Sequence, residues 1–582
     1  MTACKVVFIL CFQMRKQLFA VLLLLVICFI YLAFNSKYGL KQIIKFTSGE
    51  TKAQDIKHLK FQIFNNRNLQ GYGNPTSYQR LLLQMYNFPA KNIVEVVDKM
   101  ADEYLIENEA KLLADPPLVN IKDISNTEFS VLTAKRVYYV LGETIDILIQ
   151  MNNGYKKPKT RGGDDVRVWM ENRDSSCAAE VTDLNNGTYR ASLKALWPGE
   201  ASIQAAIAFS REEARVLLDN RRKLKVVRYS IGKYAKKEDS GELTFCSPFS
   251  DIPLVHGVCN FTKLNSNPYY CGVPLSHNLN CSDWKEVYSV RYSKQVMTTQ
   301  ERKLLSRKSR LIMFKDSITV RIENGPINNL PNCSQIKKSL TWTDTAPRGH
   351  FTKHIWYPSY CQRIITPRIL RRCITNATIT LLGDSTVRQW YESIIKITNC
   401  SNDIYDSVSK SKRSGRRCLD KELNYKVTFG LHGFPYSVAN SMDAITNIIS
   451  FQKRLEAIHV QGKHFVILHM YLHFLFFHTS IFVSQVRSLR DTILDLLKRE
   501  PHVKIAIKGP HAFYDADNKP IVKNDYLGKV YINILKTELF VLKDRIWFMD
   551  FWDMSISAHN HPIHPARWFV NENVKLFFDY VC

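Results

Sequence analysis

A chain of 582 residues, 45% hydrophobic and 23% charged, has room for about three or four domains and is too apolar for a mostly disordered polymer. Its 23 glycines and 21 prolines are too few for collagen or a low-complexity stalk. Lysine and arginine outnumber the acids by 80 to 53, and a net charge of +27 suits nucleic acid, anionic lipid or an acidic glycan, so the compartment must decide.

Residues 1–17 form a short tail ending in Arg15 and Lys16, and Leu18 to Phe34 (LFAVLLLLVICFIYLAF) carries no charge. At 1.5 Å per residue this stretch spans roughly 25 Å, enough with its flanks to cross a hydrocarbon core. No good small-x-small cleavage site follows it, so 18–34 reads as an uncleaved signal anchor, with a cleaved signal peptide as the alternative. Either one delivers the rest of the chain to the secretory pathway, as a single-pass type II protein of the Golgi or another endomembrane or as a secreted one. Nucleic acid is thereby excluded as a partner.

Residues 35–115 read as a stem with one helix, Ile93 to Leu113, ended by Asp115-Pro116-Pro117. From 116 to 235 the pattern turns to short β-branched or alternating runs (VYYVLGETIDILIQM, VRVWMEN, GTYRASLKAL, EASIQAAIAF). Turn residues such as Asn152-Asn153-Gly154 and Pro198-Gly199 separate them, which indicates a β-sandwich of immunoglobulin type. Its role, spacer or ligand-binding module, is not legible from the strands.

Residues 236–345 form a cysteine-rich segment. Cys246, Cys259, Cys271 and Cys281, then Cys333, Cys361, Cys373, Cys400 and Cys418, recur at short intervals without a CxxC pair, so a disulfide framework is expected rather than zinc. Eleven of the 14 cysteines follow the apolar stretch; the number is odd, so one thiol is left free or bonded to another chain. Six acceptor sequons, at Asn186, Asn260, Asn280, Asn332, Asn376 and Asn399, fit a glycoprotein.

From 346 to 582 strand alternates with helix, the mark of an α/β domain with a mainly parallel sheet. ATITLL (377–382) leads into a helix carrying Val387, Trp390, Ile394 and Ile397. KHFVILHM (463–470) precedes Ser484–Lys498, VKIAIKG (503–509) precedes Asp525–Lys543, and RIWFMDF (545–551) precedes a terminal helix over 566–580. At the carboxyl end of the first strand stands Gly383-Asp384-Ser385. Open parallel sheets place their sites there, and backbone N–H groups at the following helix N-terminus can stabilise an oxyanion. A serine needs a base, and the last loop supplies Asp550, Asp553, His559, His561 and His564. The spacing of these histidines suits neither HExxH nor a helical pair, so no metal is expected. His469, His473 and His478 lie in an apolar run and read as core or rim histidines. The basic run Lys410, Lys412, Arg413, Arg416 and Arg417 reads as a solvated surface loop, with attraction of acidic glycans as its functional alternative.

The stretch LLGDSTVRQWYE, the four cysteines from 246 to 281, NNGTYRASLKALWPGEASI and the ending HPARWFVNENVKLFFDYVC resemble the neurexophilin and PC-esterase (NXPE) family over roughly residues 115–582. The resemblance implies an immunoglobulin-like domain, a cysteine-rich segment and an SGNH-hydrolase-like α/β domain related to polysaccharide and sialic acid O-acetyltransferases. It implies Ser385 as acyl-accepting nucleophile and His564 as general base. Gly383 and Asp384 would shape the serine turn. Gly433 and a donor from the 471–473 loop, which carries His473, would join the Ser385 N–H in the oxyanion hole, and Arg388 would orient the turn or the acyl group. A glycan or glycoprotein is the implied substrate, with no bound cofactor and the acyl donor open, acetyl-CoA being one candidate for a transferase. Neurexophilin kinship alternatively implies a non-catalytic glycoprotein that binds a cell-surface receptor.

Two departures stand out. The related enzymes carry Asp-x-x-His, but the residue three before His564 is His561, so the orienting carboxylate is expected to be Asp553, or else Asp550, or to be missing. Losing that partner costs about 10⁴ in turnover in a serine-protease triad. Tyr471 stands where relatives have glycine (Tyr471-Leu472-His473-Phe474 against Gly-x-His-Phe), and is expected to crowd the oxyanion hole.

Overall fold

The computed structural model describes residues 112–582 except 225–227, 237–240, 253–254, 292–296, 307–310, 327–328, 406–414, 435–442, 460–461 and 515–523. All of these lie in one compact unit, Leu82–Cys582. The tail, the apolar stretch 18–34, the stem before Leu112 and the basic residues Lys410, Lys412 and Arg413 lie outside the described residues. Among the described residues no helix is long and apolar enough to cross a membrane.

Two sheets pack face to face over a shared apolar core. One orders the strands Val131–Ala134, Thr144–Gln150, Thr188–Lys194 and Glu180–Asp183. The period-2 pattern does what it should: Ile145, Ile147 and Ile149 on one strand and Tyr189, Ala191 and Leu193 on its neighbour all point inward. The facing sheet runs Ile355–Pro358, Gly349–Thr352, Ser175–Ala178, Asp165–Glu171, Gly199–Phe209, Ile318–Glu323 and Tyr138–Val140, with Ile312–Met313 also on Gly199–Phe209. The expected boundaries at 235 and 345 therefore do not separate independent layers. Four strands of the second sheet (Ile312–Met313, Ile318–Glu323, Gly349–Thr352 and Ile355–Pro358) come from beyond residue 300, where they cover edges that residues 116–235 alone would leave open.

The cysteine-rich segment supplies four strands of a six-stranded sheet, which Arg228–Tyr234 and Asp443–Ala444 complete, around a small cluster of Tyr234, Tyr269, Trp284 and Phe434. So few apolar side chains give a thin core, and disulfides Cys246–Cys271 and Cys259–Cys281 tie its strands. Cys333–Cys361, Cys400–Cys418 and Cys373–Cys582 complete a set of five among the described residues. All nine expected cysteines are bonded, the tenth partner is Cys582, and the odd thiol is the buried Cys177. Such a framework belongs to a protein that folds in an oxidising secretory or extracellular environment. Five of the sequon asparagines are exposed and Asn332 is half-buried.

The α/β domain is built on a seven-stranded sheet in the order Asp403–Tyr405, Arg416–Asp420, Tyr425–Leu431, Ala377–Gly383, Lys463–Leu468, Lys504–Lys508 and Trp547–Met549. The last five are parallel and the first two add antiparallel at the edge. Alternate strand residues feed two cores. Leu382, Leu468 and Ile507 meet helices Thr479–Arg499 and Tyr526–Glu538 on one face, while Leu381, Ile467 and Ala506 meet Ser385–Ile397 and Arg567–Val581 on the other. The domain's first parallel strand, Ala377–Gly383, lies at the middle of the sheet, where strand order reverses, which is where an open α/β sheet leaves a crevice at its carboxyl edge. Arg416 is no solvated loop residue. It is buried in the second strand, pairs with Asp403 and Glu392, and lies over the rings of Tyr391 and Tyr405.

Candidate active site

Strand Ala377–Gly383 delivers Ser385 to the first position of helix Ser385–Ile397. Gly383 is required by close approach: a Cβ there would lie 2.7 Å from Val387 Cγ2 and 2.9 Å from the His469 carbonyl oxygen. Asp384 caps the helix. Its carboxylate accepts hydrogen bonds from Thr386 N at 2.8 Å, Thr386 Oγ1 at 2.7 Å and Leu472 N at 3.2 Å. Burial alone would raise its pKa, yet the surrounding His469, His473 and Lys508 side chains and the Thr386 bond hold it well below the ordinary carboxylate value.

Beneath the turn lies a polar floor that the sequence did not single out. Lys508, at the carboxyl end of its strand, is buried and donates to Thr386 Oγ1 at 3.2 Å and to His469 Nε2 at 3.4 Å. Burial lowers its pKa to about 8, against the pull of Asp384. His469 is the core histidine its apolar run predicts. Its Nδ1 donates to the Lys508 carbonyl at 2.6 Å, which leaves Nε2 as an acceptor, and burial lowers its pKa to about 4, so the ring is neutral. The available signal for Lys508 was a lysine interrupting a buried apolar strand at its functional end.

The structure brings the expected nucleophile and base together: Ser385 Oγ lies 2.7 Å from His564 Nε2, at the open surface of the domain. Four side-chain bonds fix the loop carrying His564. His511 Nε2 donates to the Ile563 carbonyl at 2.9 Å, Gln389 Nε2 of the serine helix donates to the Pro565 carbonyl at 2.9 Å, and Asn560 Nδ2 bonds the carbonyls of Ala512 and Pro562. Tyr514 N also donates to the His561 carbonyl at 2.8 Å.

The expected orienting carboxylates are elsewhere. Asp553 accepts from Arg348 N at 2.7 Å and pairs with its guanidinium at 3.2 Å, and Asp550 pairs with the same guanidinium at 2.9 Å and with Lys536 at 3.4 Å. A buried arginine takes both carboxylates because its own charge cannot otherwise be desolvated. His561 is exposed, with its ring set edgewise against Tyr514, and is not hydrogen-bonded to His564.

The Tyr471 ring, expected to crowd the oxyanion hole, lies in the core. It is fully buried, edgewise to Tyr531 and His511, and its hydroxyl reaches the close packing of Gly528 against Trp552. The backbone at Tyr471 (φ −156°, ψ −87°) sends the side chain into the core, and the next residue, Leu472, meets Asp384. Gly433 sits at φ +80°, in the left-handed region, and a Cβ there would lie 2.7 Å from Ser450 Cα. His473 Nδ1 lies 2.7 Å from Nε2 of His432, whose pKa burial lowers to about 3. Arg388 reaches Glu392 one turn along the serine helix, Nε to Oε1 3.6 Å. His478 caps helix Thr479–Arg499 through Ser480. Among the described residues no cluster of histidine, cysteine or acid side chains is arranged to hold a metal.

Residues 356–582, which carry the whole of this serine–histidine arrangement and the parallel sheet, match the family model described as NXPE family member 4-like, C-terminal domain.

Proposed function

The C-terminal domain makes this chain a member of the NXPE family, and on that premise we propose that it is a serine-dependent O-acyltransferase or acyl esterase acting on glycans, sialylated ones included, within the secretory pathway. The observation that carries the proposal is the 2.7 Å Ser385 Oγ–His564 Nε2 contact at the carboxyl edge of the central strand. His564 Nε2 takes the hydroxyl proton as Ser385 Oγ attacks the acyl carbonyl. The tetrahedral oxyanion is held by the Ser385 N–H at the helix N-terminus, with the Gly433 backbone and the loop carrying His473 beside it. His564 returns the proton to the leaving group, and Ser385 is left acylated. It then deprotonates the acceptor, water or a sugar hydroxyl, which releases the acyl group and restores the serine. The acyl donor, acetyl-CoA being the candidate for a transferase, is a substrate and not a resident cofactor. The lumenal setting is supported by the disulfides and by reading residues 18–34 as a secretory entry signal, an anchor or a cleaved peptide.

A second reading has one observation in its favour: Asp553 and Asp550 are both committed to Arg348, so neither serves His564. On that reading the protein is a glycoprotein that binds a cell-surface partner. A serine-directed fluorophosphonate probe on the purified full chain decides. Labelling that disappears in both Ser385→Ala and His564→Ala, with a matching loss of glycan O-acetylation in expressing cells, supports the enzyme. His561→Asp, which restores the family spacing, should raise the labelling rate. A glycosylated, folded wild type that neither labels nor gains labelling in His561→Asp establishes the binding reading instead.

A further inference from the structure

The loop that carries His564 does not rest on the α/β domain alone. Glu171, the last residue of the sandwich strand Asp165–Glu171, accepts a 2.7 Å bond from His559 Nε2 at the start of that loop. Its other oxygen is fixed by Gln204 Nε2 of the adjacent strand at 2.8 Å. Trp169 of the same strand meets the His559 ring edge-on at 5.4 Å. His559 itself sits at φ +49°, a left-handed conformation that costs free energy for a non-glycine residue and needs surrounding contacts to hold it.

A second route starts two turns of pleat earlier on the strand. Arg167, 1% exposed, donates to Asp525 Oδ2 at 2.8 Å, and its guanidinium lies over the rings of Tyr514 and Trp552. The same Asp525 oxygen accepts Phe513 N at 2.8 Å, and the next amide, Tyr514 N, donates to the His561 carbonyl at 2.8 Å. Sandwich strand, 511–514 segment and base loop are thus tied in sequence.

We propose that Glu171 and Arg167 of the β-sandwich are positioning residues for the serine–histidine site, so that the sandwich is a working part of the catalytic unit and not a spacer beside it. The catalytic half of this inference rests on the enzyme reading above. Its mechanical half, the hold on the loop, does not.

The test uses the full chain with Glu171→Ala and Glu171→Gln. Glutamine keeps an oxygen acceptor for His559, alanine does not. Amide hydrogen exchange should rise in 511–514 and 559–565 in Glu171→Ala and return toward wild type in Glu171→Gln. Fluorophosphonate labelling of Ser385 should slow about 10- to 100-fold in the alanine variant, as expected of a displaced base. The residual labelling should also lose the rise with pH that a histidine base confers, and so resemble His564→Ala. Mere destabilisation would lower the labelled fraction and leave the shape of the pH profile intact, which would overturn the proposal. Unchanged exchange, or raised exchange with unchanged labelling, would overturn it too. If wild type never labels, the enzyme reading falls, and exchange alone decides whether the sandwich holds the loop.

Discussion

His432, His469 and His511 are all buried and all shifted in one direction: burial pushes His432 to about 3, His469 to about 4 and His511 well below its ordinary value. His432 and His469 are therefore neutral in the folded protein at any pH above about 5, and His511 is shifted the same way, while in the unfolded chain all three titrate near 6.5. Below 6.5 the unfolded chain binds more protons, so stability is full above that pH and falls as the solution is acidified toward the folded values. Each such histidine contributes about 1.4 kcal/mol per pH unit in that window. Urea midpoints measured between pH 7 and pH 5 should fall, and His432→Gln should fall less steeply by the share of one proton. An identical slope in the variant would show that His432 is not held neutral. The two expectations that failed at this scale failed for one reason. Both expectations came from comparing this chain with the family pattern, Asp553 in place of the Asp-x-x-His carboxylate and Tyr471 in place of a glycine, but Arg348 binds the first and the Gly528–Trp552 packing receives the second.

Strands and helices of the α/β domain were legible because their apolar periods are strong. ATITLL, KHFVILHM and VKIAIKG became Ala377–Gly383, Lys463–Leu468 and Lys504–Lys508, and the terminal helix fell at Arg567–Val581. The segment after Leu468 was not legible. It forms a short 3-10 turn, Leu472–Phe476, whose direction depends on what Tyr471 packs against. That packing gives a prediction. Tyr471→Gly, the residue of the relatives, should empty a site in the main core and cost about 3–5 kcal/mol, the usual range for deleting a buried aromatic ring. Thermal unfolding would register it, and labelling of Ser385 in the remaining folded protein should not improve. A rise in labelling would mean that the ring does encroach on the oxyanion side. The sandwich bounds were illegible on different grounds: Ile318–Glu323 and Gly349–Thr352 reach their partner strands from more than 100 residues away, and short-range pattern carries no record of a distant partner.

Over the whole molecule, Cys373–Cys582 closes the longest loop, 209 residues, and ties the start of the α/β domain to its last helix. The loop-entropy relation assigns such a link about 5 kcal/mol, more than the bridges of 18 to 28 residues. Replacing both cysteines by alanine should therefore lower the unfolding midpoint more than removing any other pair, and a smaller loss than at Cys400–Cys418 would refute the ranking. N-glycanase should also reduce the mass of the expressed protein if the exposed sequons are occupied. The same long reach governs the site. Ser385 and His564 stand 179 residues apart in the chain, and the Glu171–His559 tie spans 388. At a synthesis pace of roughly 5–20 residues per second, the base loop follows the nucleophile out of the ribosome by about 9 to 36 s. During that interval a finished serine helix has no histidine to draw its proton. On the proposed enzyme reading, acyl transfer from Ser385 therefore waits until the loop carrying His564 docks beside the serine helix.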